Sequence, residues 1–208
     1  MPAAEAWLLA AGRIEAKSRS NCSSGEAVKR VAVIGNAGGG KTTLSRLLGD
    51  AFGLPVHHVD SIQYQSGWLR TPAVECDSRL DELTAGSRWI IDGFGSNAVI
   101  KRRLRAADTV VFVDFPLSVH YWWACKRQWK SRRRQRQELP ENCPEFTVSY
   151  SWKLARVMWQ VHRHYRPWFA SVVNALPDDI TVFHLRSPRE WGEFASRHGG
   201  VRTPSTRC

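Results

Sequence analysis

Residues 35–43 read Gly-Asn-Ala-Gly-Gly-Gly-Lys-Thr-Thr, and their spacing fits G-x-x-x-x-G-K-[ST] without a mismatch. That pattern suits one chemistry. Glycines let successive backbone N–H groups turn inward around an anion. A helix starting at the lysine adds the positive end of its dipole. Lys41 can reach β- and γ-phosphate oxygens, and the Thr42 hydroxyl is a Mg²⁺ ligand. The bland alternative is a Gly-rich turn with a chance Lys-Thr. Context argues against it, because the motif stands directly between an apolar strand and a helical pattern. Gly35, Asn36, Ala37, Gly38, Gly39, Gly40, Lys41, Thr42 and Thr43 are therefore expected to hold Mg-ATP.

Three apolar runs end in aspartate: Asp60 after "PVHHV", Asp92 after "RWII" and Asp114 after "VVFV". In a parallel sheet such ends share the edge that carries the phosphate loop. Asp92 is chosen for the Mg²⁺ shell with Thr42, because Gly93 leaves room beside it. Asp60 is chosen to orient or deprotonate an acceptor. Asp114 is read equally as a turn cap, and all three stay open as the Mg²⁺ carboxylate. His57 and His58 lie within a strand and receive no role.

From Phe115 to Gln137 there is no acidic residue. Lys126, Arg127, Lys130, Arg132, Arg133, Arg134 and Arg136 form a basic run, with Trp122, Trp123 and Trp129 interleaved. Three readings compete. One is a solvated face, expensive for so many like charges. One is a lid whose arginines stabilise a transferring phosphoryl group. One is nucleic-acid contact through phosphates and stacking. Arg127 and Arg132 are assigned to the lid.

The elements that must position these residues are legible as alternating patterns. Strands are expected at 30–35, 55–60, 88–93, 108–115 and 180–186, as short apolar runs. Helices are expected between them, including 41–52 stopped by Gly53, one capped by Thr71, and one opened by a Ser187–Glu190 capping box. Two long helical stretches follow Pro116. The second carries Tyr150, Leu154, Val157, Val161 and Tyr165 on one stripe and should split at Pro167. The fold class is α/β: a three-layer arrangement, a five-stranded parallel sheet with helices on both faces and a helical lid.

Composition agrees with one ordinary domain. The chain has 208 residues, 43% hydrophobic and 24% charged, with a net charge of +11. The charge bias points to an anionic partner. Five cysteines without a CxxC pair are expected to be reduced thiols in a cytoplasmic protein. No apolar run approaches the ~18 residues that span a bilayer, so no membrane partner is expected. Residues 1–29 are small and polar in part and are expected to be a disordered extension. The domain then runs over 30–200, with a lid at about 117–145 and a flexible tail at 201–208.

Residues 31–189 resemble the bacterial DNA topology modulation protein family. The resemblance lies in "VIGNAGGGKTT", in Trp68, Thr71 and Pro72 of "GWLRTP", in "WIIDG" and in "KRQWKSRRRQRQELPENCPE" with Cys143. It implies an adenylate kinase-like or shikimate kinase-like P-loop fold, ATP at Gly35 to Thr43, and a lid. It also implies that the loop "RSPRE" borders the adenine, with Arg186 nearby. The chain departs from the family where Gly39 replaces a usual serine, where "DGFG" replaces "DGNY", and at Arg133. The expected function is an ATP-dependent phosphotransferase acting on a small acceptor, a nucleotide or a hydroxyl compound. The alternative is a nucleic-acid-associated ATPase or regulator of DNA topology, using the 126–136 run.

Overall fold

The computed structural model describes residues 28–131 and 147–199. Most of the expected extension, the tail, Arg132, Arg133, Arg134, Arg136 and Cys143 lie outside the described residues. The strands are β1 (Arg30–Gly35), β2 (Val56–His58), β3 (Tyr64–Gln65), β4 (Leu69–Arg70), β5 (Trp89–Asp92), β6 (Thr109–Val113) and β7 (Thr181–Leu185). The α-helices are α1 (Lys41–Phe52), α2 (Val59–Gln63), α3 (Ala73–Ala85), α4 (Asn97–Ala106), α5 (Leu117–Ser131), α6 (Val148–Gln160), α7 (Arg166–Asn174) and α8 (Pro188–His198).

Five strands form one parallel sheet in the order β2-β5-β1-β6-β7. Strand β1 is central, pairing Val33 with Asp92 on one side and with Val111 on the other. Alternation along the strands divides the core into two layers. Ala32, Ile34, Ile91, Val110 and Phe112 pack with Leu80, Ile100, Leu104 and Phe169. Val31, Val33, Ile90, Val111 and Val113 pack with Leu44, Leu48 and Phe194. A sheet apolar on both faces must be covered on both, and helices α1 and α8 cover one face while α3, α4 and α7 cover the other. This is the expected three-layer α/β class.

Local details depart from the pattern reading at four places. The β2 strand ends at His58, and Asp60 sits in the first turn of α2 rather than at a strand end. The residues between α2 and α3 form a small antiparallel hairpin, β3–β4, which the period-two signal is too short to reveal. Thr71 does not cap α3. Its hydroxyl donates to Ile62 O at 2.8 Å and its N–H to Gln63 O at 3.0 Å, fastening the hairpin instead. The long second helix does break near Pro167, but through a π-helical turn at Val161–Tyr165. Proline has no N–H to give to the turn before it, so the strain is relieved upstream. The Ser187 cap holds as expected: its Oγ accepts from Glu190 N at 3.2 Å. The Glu190 carboxylate reaches back to Arg186 N at 2.8 Å.

Asp108 anchors the entry to the sheet. Its Oδ2 accepts from Lys29 N at 3.0 Å and from Arg30 N at 2.8 Å. Asp108→Ala is expected to leave both donors unpaired and to cost about 1–3 kcal/mol. Urea unfolding would show this as a lower midpoint at unchanged m-value.

Candidate active site

The phosphate loop leaves β1 at Gly35, where φ is +136°. A Cβ there would stand 2.1 Å from Val113 O, so the close approach of β1 and β6 requires glycine. Gly38, at φ +72°, backs onto His120 O, 2.4 Å from where its Cβ would be. At Gly39 the added Cβ would press on Val113 Cγ1 at 3.0 Å and His120 Cε1 at 3.1 Å. A side chain at Gly39 requires those neighbours to give by a few tenths of an ångström.

Asn36 pins the loop to the helical layer. Its Nδ2 donates to Met158 O at 2.8 Å, and its Oδ1 accepts from Ala37 N at 2.8 Å. Lys41 Nζ donates to Asn36 O at 2.8 Å, which holds the ammonium across the loop. His120 is buried behind the loop, stacked on Phe115 at 5.4 Å between centroids. Burial, with the nearby Lys41 charge, pushes its pKa down to about 4. The imidazole is therefore neutral at ordinary pH, and the loop gains no second fixed cation.

The loop opens onto a cavity of about 1980 Å³. Asn36, Ala37, Gly38, Gly39, Gly40, Lys41, Thr42 and Thr43 line it, whereas Gly35 lies beneath. Asp60 and Asp92 are on the wall, and so are Lys126 and Arg127 of α5. Arg186 is not. Its Nε donates to His184 Nδ1 at 3.3 Å, and Trp191 of α8 lines the cavity instead. The stripe Tyr150, Leu154, Val157, Val161 and Tyr165 faces the cavity in full. Pattern reading missed Arg46, Arg70, Lys153 and Arg156, which join Lys41, Lys126 and Arg127 on the same wall. Seven cations thus face three carboxylates, Asp60, Asp77 and Asp92. Such a wall attracts anions and focuses them toward the loop. Trp68, at φ +63°, stacks on Tyr150 at 5.0 Å and 29°, joining the hairpin to α6.

The three aspartates separate by environment. Asp114 is committed elsewhere: Arg166 Nε donates to its Oδ1 at 2.5 Å, and His184 Nε2 pairs with its Oδ2 at 3.0 Å. Burial alone would raise its pKa, but the His184 and Arg166 hydrogen bonds outweigh burial and lower it. Asp92 is buried at the end of β5. His58 Nδ1 holds its Oδ1 at 2.9 Å, a pairing set by the β2–β5 register. Its Oδ2 is buried with no hydrogen-bond partner among the described residues. Arg103 lies fully buried below and donates to Gly93 O at 2.6 Å. Burial pulls the Arg103 pKa down to about 10, with the Asp92 charge opposing, so it stays cationic.

The orphaned Asp92 oxygen and the Thr42 hydroxyl, both on the cavity wall, are hard oxygen donors of the kind that suits Mg²⁺. Such a site uses one or two protein ligands, the rest coming from phosphates and water. Among the described residues no group of three His, Cys, Asp or Glu gathers as a transition-metal site would. None of the described helices is long and apolar enough to cross a membrane.

Comparison with solved structures places this architecture. Shikimate kinase from Acinetobacter baumannii, in complex with shikimate, matches with a TM-score of 0.53 at 15% identity, over 88% of this chain and 96% of that one. Shikimate kinase from Bacteroides thetaiotaomicron matches at 0.51 and 13%, over 82% and 96%. The fold is that of a P-loop kinase. No family model matches the sequence, and no curated protein does. At these identities the P-loop kinase likeness concerns the fold, and the acceptor must be argued from this chain's own wall.

Because His120 is held neutral, the unfolded chain binds a proton that the folded chain does not between pH 4 and 6.5. Stability is then fully present above pH 6.5 and falls as pH drops toward 4, by on the order of 3 kcal/mol. His57, His162 and His198 are also lowered by burial and add to the slope. The decisive measurement is the difference in chemical-denaturation stability between the wild type and His120→Gln, which should be flatter over that window. Asp114 acts in a separate window. Its contribution is present above its unfolded value of 3.8 and is lost on further acidification. Asp114→Ala should cost on the order of 3 kcal/mol at neutral pH by leaving half-buried Arg166 and buried His184 without their carboxylate.

Proposed function

We propose that the protein is an ATP-dependent phosphotransferase that moves the γ-phosphoryl group of Mg-ATP to a small anionic acceptor, a nucleotide or a hydroxyl compound. One observation carries the reading: Lys41, Thr42, Asp92 and Asp60 open into a single cavity whose wall is rich in cations. The resemblance of residues 31–189 to the topology modulation family supports it, since that group belongs to the kinase-like P-loop folds.

In this reading the loop amides and Lys41 bind the β- and γ-phosphate oxygens. Thr42 and Asp92 would hold Mg²⁺, which when bound would offset negative charge on the nucleotide phosphates. His58 fixes one oxygen of the Asp92 carboxylate and leaves the other for the metal. The acceptor oxygen attacks the γ-phosphorus, the bond to the β–γ bridging oxygen breaks, and ADP leaves. Asp60, exposed at the start of α2, accepts the proton when the acceptor is a hydroxyl. Arg127 and, by its place in the expected lid, Arg132 offset charge on the transferring group. Arg46, Arg70, Lys153 and Arg156 select an acceptor that itself carries negative charge. No covalent enzyme intermediate is needed, so rate enhancement comes from positioning and electrostatics.

The test is ADP release from Mg-ATP with a panel of nucleoside monophosphates, nucleosides, hydroxy acids and DNA. One small anionic acceptor should stimulate release. Lys41→Ala should lower stimulated turnover by about 10²–10³. Release unchanged by Lys41→Ala, or stimulated by DNA alone, would overturn the proposal. Asp60→Asn should reduce kcat for a hydroxyl acceptor while leaving KM for ATP near its wild-type value, read from initial rates at saturating acceptor.

A further inference from the structure

Helices α5 and α6 pack side by side. Tyr121 OH donates to Ala155 O at 3.2 Å, and Ser151 Oγ donates to Gln128 Oε1 at 3.2 Å. Partner numbers fall on α6 as they rise on α5, so the pair is antiparallel. Each residue turns about 100° along an α-helix. In an antiparallel pair, residues one position before the contacts therefore share one side of the layer, and residues one position after share the other. The first side is the cavity side: Arg127, Tyr150 and Leu154 line the wall. The second side carries Trp122 and Trp129 on α5 and Trp152 on α6, with Trp159 seven residues further along the same face.

These four rings are exposed by 67%, 74%, 75% and 48%. Large aromatic rings displayed together are unusual on a free surface and mark a binding face. Each is followed four residues later, one helical turn on, by a cation: Lys126, Arg133, Arg156 and Arg163. Arg133 lies outside the described residues and is left out of the site. Lys126, Arg156 and Arg163 are exposed; Lys126 and Arg156 also border the cavity, whereas Arg163 does not and lies 5.9 Å from the Trp159 ring centroid. Neither α5 nor α6 contains an acidic residue.

The phosphoryl-transfer reading uses the inner side of this layer and Arg156, which borders the cavity; it leaves the four tryptophans and Arg163 unused. We propose that the layer's outer side binds single-stranded nucleic acid, with bases stacked on the tryptophans and phosphates held by Lys126, Arg156 and Arg163. Each ring is followed one turn on by a cation, with Lys126 and Arg156 between the tryptophan face and the cavity, so base stacking and phosphate contact can alternate along a strand. A membrane-surface helix instead segregates a broad Leu- and Phe-rich face from its cations. A duplex hides its base faces and cannot use the rings.

The test uses the full chain and fluorescence anisotropy of a labelled 20-nucleotide oligo-dT across a salt series. Binding should weaken with salt at a log–log slope of roughly −2, from three phosphate contacts at about 0.7 each. Trp122→Ala with Trp152→Ala should weaken binding about tenfold or more, whereas the Trp→Phe pair should keep most of it. Arg163→Glu should make the slope shallower. The rise in thermal midpoint on adding Mg-ATP should be equal in all these variants, which separates this face from the loop. Several results would overturn the proposal. They are no binding at 0.15 M salt, equal affinity for duplex, and indifference to the Trp→Ala pair. Displacement of the oligonucleotide by anionic phosphatidylglycerol vesicles, or a dimer that the Trp→Ala pair dissociates, would do so too.

Discussion

The contact between Gly35 and the Val113 carbonyl is the constraint on which the rest depends. It lets β1 lie between β5 and β6 up to its last residue and then turn at once into the phosphate loop. Any side chain at Gly35 would push the two strands apart at the edge where the site is built. Because the strands are parallel, the same edge carries Asp92, in register with Val33, and Asp114, one step past Val113. The loop is then locked from the other side by Asn36, whose amide reaches Met158 O just before the π-helical turn.

Buried charge at that edge is handled in two ways. Asp114 is saturated by Arg166 and His184, and Arg186 extends the chain through His184. This is a closed network, and it ties the sheet edge to α7 across the break at Pro167. Asp92 is half saturated: His58 takes one oxygen and leaves the other buried and open. Leaving a carboxylate oxygen without a donor costs about 1–3 kcal/mol. A site that needs a cation bears that cost, and a purely structural carboxylate does not. That contrast is what supports the proposal of Asp92 as the metal-side group.

The helical layer over the cavity is two-faced for a reason of geometry. Antiparallel packing of α5 and α6 turns Arg127, Tyr150 and Leu154, each just before a contact, inward, and Trp122, Trp129 and Trp152, each just after one, outward. Tyr150 and Leu154 therefore meet the site, where Trp68 closes onto Tyr150. Trp122 and Trp152, offset by one or two positions, meet solvent. One layer can thus face the cavity on one side and present an aromatic surface with Arg163 on the other.

The sequence by itself determined what is local. Short apolar runs closed by glycine or aspartate, and helical periods between them, gave the five parallel strands and the three-layer class. The phosphate loop, the Ser187 cap, the Gly53 stop and the Tyr150–Tyr165 stripe follow from neighbours a few positions apart. Only the tertiary structure decided which of three similar aspartates stays open, since that depends on the β2–β5 register bringing His58 to Asp92 and on α7 bringing Arg166 to Asp114. It moved Asp60 into a helix and turned the Thr71 hydroxyl from a cap to a hairpin clasp. It turned Arg186 off the cavity wall and put Trp191 on it. It also separated Trp123, packed on Phe115 and Trp191, from Trp122, its exposed neighbour. Spacing along one helix tells which residues share a face. Which face meets the sheet, the cavity or solvent is set by partners distant in the chain.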